Sequence, residues 1–143
     1  MRNIFKGKTN TALLVIRIIV GIAFFLHGLQ KFNMGIEAVT EGFVAWGFPL
    51  AGLMAWIVTL VETIGGIALI VGVGTEIVSF LLIIVMIVAA FVVRNLMQME
   101  FLGGWEVNLV YIAALIPLLV QGAGRYSLSH ILKMMKHEPQ PQY

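Results

Sequence analysis

Four apolar runs, at about 11–30, 50–73, 76–97 and 105–122, constrain this chain more than any other feature. About 20 residues of helix, rising about 1.5 Å each, cover the ~30 Å hydrocarbon core of a bilayer. No water is available there to bond a free N–H or C=O, so each run must close its own backbone hydrogen bonds, and helices result. The balance of the chain agrees: 60% of residues are hydrophobic and 11% charged, against about 45–50% and about 25% in a soluble domain. A chain of 143 residues this apolar cannot hide its surface in a water-soluble core, and its length suits one domain. The expectation is an all-α integral membrane four-helix bundle, a single domain over residues 1–136, with the lipid bilayer as its first partner.

The first span is interrupted by Arg17 and His27, the second by Glu62, and the third is the most apolar until Arg94. The fourth is the shortest and contains Pro117, which predicts a kink in the preceding turn. Between the first two spans, Glu37, Glu41, Phe43, Trp46 and Phe48 mix acids with aromatics, as suits a short interfacial helix or loop. Gly72-Val-Gly-Thr-Glu76 is a tight turn. The basic start, Met1-Arg-Asn-Ile-Phe-Lys-Gly-Lys, precedes an apolar run too long for a cleaved signal, with no small-residue cleavage site, so it reads as a retained first span. Residues 137–143 read as a disordered polar tail, and no internal repeat is present. Arg2, Lys6 and Lys8 flank the start and Arg125, Lys133 and Lys136 the end, whereas the intervening outer loops offer only Lys31 and Arg94. The bias of basic residues toward the cytoplasmic side then puts both termini in the cytoplasm, in a multi-pass protein of the cell membrane.

Several chemistries are unsupported. The formal charge of +2 comes with no cationic stripe and interleaved aromatics, so nucleic acid is a poor partner. The absence of cysteine removes disulfides, thiolate metal sites and thiol relays. There is no phosphate-binding glycine loop, HExxH zinc motif or hydrolase triad, so nothing in the sequence signals a metal or nucleotide. His27 alone within the spans cannot supply paired axial ligands for haem. The eight Met and nine Phe residues suit lipid-facing or packing roles better than a cofactor box.

The informative residues are the charges in the spans, each costing at least about 2.5–3.5 kcal/mol at a helix centre. Arg17 falls in the cytoplasmic third, where snorkelling or helix packing competes with ligand contact. His27, Gln30 and Lys31 fall near the outer end of the first span, Glu62 near mid-membrane, and Arg94, Asn95 and Gln98 in the outer third of the third span. The fourth span opens outside with Trp105, Glu106 and Asn108. His27 and Lys31, four residues apart, share a face, as do Arg94 and Gln98. Arg94 or Lys31 is placed to keep a buried Glu62 ionised. The pattern predicts a polar pocket in the outer half of the bundle, able to hold a small polar head group or pass a proton, with Glu62 and His27 as catalytic candidates. Arg94, Lys31, Gln98, Trp105, Glu106 and Asn108 are the ligand-binding candidates. Against this stands a purely structural ion-pair network that fixes helix packing. Gly65 and Gly66, beside Glu62, allow close helix approach, and Gly21 and Gly28 are assigned the same packing role.

At these residues the chain resembles the DoxX family of small four-helix membrane proteins. The similarity runs from Arg17-Ile-Ile-Val-Gly21 through Phe25-Leu-His-Gly28 to Lys31-Phe32, then Gly47-Phe-Pro49, Glu62-Thr-Ile-Gly-Gly66, Gly72 and Thr75. It ends with Trp105-Glu106 and Gly122-Ala-Gly-Arg-Tyr-Ser-Leu128. Ser129 departs from the family, which often has Asp there. The resemblance implies a four-helix membrane bundle. The family name comes from a subunit of an archaeal thiosulfate:quinone oxidoreductase; some relatives are associated with oxidative-stress complexes and others act as accessory subunits.

Two functions of different class follow. In one, the chain is a membrane component of a quinone-linked oxidoreductase system: the pocket holds a quinone head group, Glu62 or His27 exchanges protons, and Arg94 and Lys31 polarise the carbonyl oxygens. Electrons then come from a soluble redox partner or a directly bound donor. In the other, the chain is a non-enzymatic scaffold, accessory or small-molecule-binding subunit whose charges fix the bundle and whose basic C-terminal flank docks a soluble protein on the cytoplasmic side. A transporter or channel fits less well, since four helices form a pore only as an oligomer.

Overall fold

The computed structural model describes residues 6–136, and side chains from 8 to 135; the expected disordered tail at 137–143 lies outside the described residues. Six helices form, with no strand among the described residues: α1 (Lys6–Met34), α2 (Ile36–Ala45), α3 (Ala51–Val71), α4 (Thr75–Phe91), α5 (Glu106–Gln121) and α6 (Leu128–Lys136). Four helical segments are long and apolar enough to cross a membrane: Lys8–Met34, Ala51–Val71, Thr75–Leu96 and Phe101–Gln121. The first helix is the longest, 29 residues or roughly 44 Å, and so overshoots the hydrocarbon layer. Helix α5 continues through Pro117 without a break.

The spanning helices form a ring in which α1 packs on α3, α3 on α4, α4 on α5, and α5 more sparsely back on α1. Hydrophobicity cannot drive helices together in lipid, so packing density and small residues must. The α1–α3 contact is built that way. A Cβ on Gly21 would sit 2.8 Å from the Gly66 carbonyl oxygen, one on Gly66 would strike the Phe25 backbone, and one on Gly28 would strike Thr63. Gly65 faces the other neighbour instead, toward Val78 and Leu82 of α4. The central core is apolar, formed by Leu13, Val20, Phe24, Leu69, Leu82, Met86, Leu115 and Leu118.

The interfacial segment expected between the first two spans is the helix α2. It presents Phe43 to Ala51 and Ala55 of α3, with Ile36, Val39, Trp46 and Phe48 packed around them, and leaves Glu37 and Glu41 exposed. The α3–α4 turn uses two glycines in the left-handed region, Gly72 at φ 79° and Gly74 at φ 58°, where a Cβ would be strained. After α4 the helix widens into a π-helical turn over Val92–Leu96. The chain then folds back irregularly through Leu102, Gly103 and Gly104 before α5 begins.

Replacing Gly66 with Val should cost about 1–3 kcal/mol by overpacking, because the new methyls meet backbone that cannot rotate away. Gly52→Ala, whose added methyl first meets Thr40 at 3.8 Å, should shift stability by less than about 1 kcal/mol. Thermal melting of the detergent-solubilised protein distinguishes the two; equal melting temperatures would mean that the α1–α3 contact is looser than described.

Candidate functional site

The candidate site grows from the α1–α3 contact. Gly28 lies against Thr63 and Gly21 against Gly66 and Ile70, so the two helices run antiparallel in fixed register. Carried one turn beyond Gly28, that register sets Lys31 opposite Glu62, and the Lys31 ammonium donates to Glu62 Oε2. Glu62 is only 3% exposed, while the Lys31 side chain keeps 25% of its surface. A buried carboxylate is tolerated only when its charge is answered. Lys31 answers it, reaching inward from the α1 end while its stem covers apolar surface. Two threonines on α3 bond back to their own helix, Thr59 Oγ1 to Ala55 O and Thr63 Oγ1 to Thr59 O, both at 2.7 Å, so neither competes for Glu62.

One turn inward of Lys31 on α1, His27 is exposed and stands edge-on to Tyr111 of α5, ring centres 6.2 Å apart. Tyr111 also packs on buried Phe24 at 5.1 Å. Asn108, one turn before Tyr111, points inward and donates weakly to Met86 Sδ at 3.6 Å. Helix α1 therefore presents an ammonium to α3 and an imidazole to α5, and the α1–α5 seam is the sparser side of the ring.

The remaining predicted ligands gather elsewhere. Arg94 is exposed and its guanidinium lies 5.3 Å from the Trp105 ring centre, a cation–π contact worth about 0.5–1 kcal/mol at such a site. Trp105 in turn packs on Phe101 at 4.7 Å, and Glu106 accepts from the Gly103 N–H at 3.3 Å. Gln98 is exposed in the connecting loop with φ 52°. Of the two cations proposed for Glu62, the structure pairs Lys31 with it and stacks Arg94 on Trp105. An open depression of about 500 Å3 lies at the α1–α2 turn, lined by Met34, Gly35, Ile36, Glu37, Ala38 and Glu41; neither Glu62 nor Lys31 contributes to it. Among the described residues no three His, Asp or Glu groups come together in a way that could hold a metal ion.

Sequence reasoning missed Tyr111, although a tyrosine one turn from Asn108 on a spanning helix is a usable signal. It also left the role of Arg17 undecided between snorkelling, packing and ligand contact. Arg17 is 2% exposed. It donates from Nη1 to Ala123 O and from Nη2 to Tyr126 O, both at 2.7 Å, with Gly72 against the guanidinium. It therefore ties α1 to the α3–α4 turn and to the chain beyond α5. The Ser129 hydroxyl adds a bond to the Gly72 carbonyl at 2.7 Å, one that a carboxylate at this position would not donate.

Comparison with known proteins bears on the same residues. The DoxX family model matches residues 12–95, which include Arg17, His27, Lys31, Glu62 and Arg94. A protein of Bacillus subtilis (strain 168) named "Putative oxidoreductase CatD" is 34% identical over 110 residues, covering 77% of this chain and 78% of that protein. No solved structure matches the chain.

Removing one partner of the buried pair should be costly. Lys31→Met, leaving Glu62 alone, is expected to destabilise the protein by about 3–5 kcal/mol. Adding Glu62→Gln to Lys31→Met should recover most of that loss. A double-mutant cycle in thermal or denaturant unfolding checks it, and additive losses would show that the pair is not coupled. Arg17→Ala should cost about 1–3 kcal/mol by stranding the Ala123 and Tyr126 carbonyls. Arg17→Lys, which lacks the planar fork, should recover only part of that.

Proposed function

The chain belongs to the DoxX family, and on that premise we propose that it is the membrane component of a quinone-linked oxidoreductase system. The observation that carries this reading is the Lys31–Glu62 pair, a titratable carboxylate and ammonium held together inside a lipid-facing bundle. Intramembrane ionisable residues are expensive and are retained for function by default. The CatD relative is described as an oxidoreductase in its name, which supports the same class of chemistry here.

The groups that α1 presents to α3 and to α5 suit a quinone head group in their chemistry. Lys31 offers an ammonium to a carbonyl oxygen, His27 and Tyr111 offer an imidazole and a phenol, and Phe24 gives an apolar ring surface. A quinone supplies a couple that takes up two electrons with two protons. In this reading Glu62 holds and releases a proton, Lys31 answers its charge, and His27 is a second proton-exchanging group on the α5 side. The sparse α1–α5 seam is the entry route for an apolar tail. Arg94, Trp105, Glu106 and Gln98 line the approach from the outer side. Electrons come from a soluble redox partner or from a donor bound directly at the site, and this reading keeps both termini, with their basic flanks, in the cytoplasm.

A second reading draws on the same contact. The glycine-set α1–α3 interface is itself locked by Lys31 and Glu62, as a scaffold or accessory subunit would require. Substitution separates the two. Under the redox reading, gently extracted wild-type protein carries stoichiometric quinone by native mass spectrometry and solvent extraction, and the Glu62→Gln protein that folds, by its helical circular dichroism, has lost it. Bulk lipid alone on both proteins, with Glu62→Gln lowering only the folded yield, would replace the redox reading with the scaffold one.

A further inference from the structure

Among the described residues, helix α6 has a firm beginning and no helix beside it. Ser127 is buried and caps the helix, its hydroxyl accepting the His130 N–H at 3.3 Å and donating to Gly124 O at 2.8 Å. Ser129 bonds Gly72 O through both its N–H, at 3.3 Å, and its hydroxyl, at 2.7 Å. Beyond these anchors, no other described helix packs along α6 to any extent. A helix of nine residues is marginal alone in water, where most helical stability comes from burying an apolar face. Leu128, Ile131, Leu132 and Met135 fall at i, i+3, i+4 and i+7, a single stripe, and all four are exposed.

The position of α6 indicates what covers that stripe. Its anchors are the α3–α4 turn and the end of α5. Around them Val71, Val73, Ile77, Val120 and Tyr126 are also exposed, and these belong to or border the segments that span the membrane. The stripe therefore continues a surface that lipid already covers. The exposed charge at this end is mostly positive, with Glu76 of α4 among it, and so is complementary to an anionic leaflet. Arg125 and Lys133 are exposed on or beside α6, and Lys8 is exposed at the start of α1, which Asn10 joins to the Arg125 N–H at 3.0 Å.

We propose that α6 lies in the headgroup layer of the leaflet at this end of the bundle, its Leu128–Ile131–Leu132–Met135 stripe sunk among acyl chains and its basic rim on anionic lipid phosphates. The helix thereby fixes the depth of the bundle through Ser129 and Gly72 and forms a lipid-composition-sensitive collar around the Arg17 contacts.

The chain has no cysteine, so nitroxide labels can be placed singly on the full-length protein. Leu128→Cys, Ile131→Cys, Leu132→Cys, Met135→Cys and Lys133→Cys would be labelled and reconstituted in phosphatidylcholine vesicles with and without phosphatidylglycerol. Collision with oxygen should exceed collision with a water-soluble nickel chelate several-fold at the four stripe positions and reverse at 133. The contrast should sharpen with phosphatidylglycerol and weaken in high salt. Chelate access at all five positions would overturn the proposal, as would spin–spin broadening between copies, which would give the stripe to a second chain. A contrast identical in both vesicle types would overturn its anionic-lipid part. Five separate sites, each checked by circular dichroism, keep the result from depending on one misfolded variant.

Discussion

Where two helices touch backbone to backbone inside a membrane, little else about their relation is free. Gly21, Gly28 and Gly66 bring α1 and α3 to that distance, and in lipid this closeness substitutes for the missing hydrophobic drive. The register it fixes has a chemical consequence one turn further out, where Lys31 meets Glu62. A bulkier residue at any of the three glycines would part the helices and alter the reach between ammonium and carboxylate. The charged pair depends on the glycines more than the glycines depend on it, because backbone contact tolerates no rotamer adjustment while a lysine stem does.

The two buried charges among the described residues, Glu62 and Arg17, are handled in different ways. Glu62 has a counter-ion, Lys31, whose side chain keeps 25% of its surface exposed. Arg17 has main-chain carbonyls and no acid partner among the described residues. A guanidinium does not lose its proton under ordinary conditions, and bound to fixed carbonyls it suits permanent fastening. One end of the bundle is thus tied by hydrogen bonds to main-chain carbonyls, and further along, α1 and α3 meet through an ion pair.

Much of this was legible in the residues. Hydropathy and length defined four spans, and the cost of charge in lipid singled out Glu62, His27, Lys31 and Arg94. The mix of Glu37 and Glu41 with aromatics marked an interfacial helix or loop, and the segment is the helix α2. Other features were not legible. Arg94 and Lys31 were equivalent candidates for Glu62 until the π-helical turn and the fold-back through Gly103 placed Trp105 against Arg94. The stripe on α6 was present in the letters but lay hidden in a basic flank, because nine residues give a weak periodic signal.

The sequence by itself determined that this chain is helical, spans a membrane four times and carries ionisable groups at different depths, since these follow from local hydrophobicity and the intolerance of lipid for unpaired backbone. Only the tertiary structure decided which charges meet. Pairing Lys31 with Glu62, His27 with Tyr111 and Arg17 with the carbonyls of Ala123 and Tyr126 depends on helix rotation, register and side-chain reach across elements far apart in the chain. Apolar periodicity says which way a helix faces its core, and carries no information about which neighbour stands there.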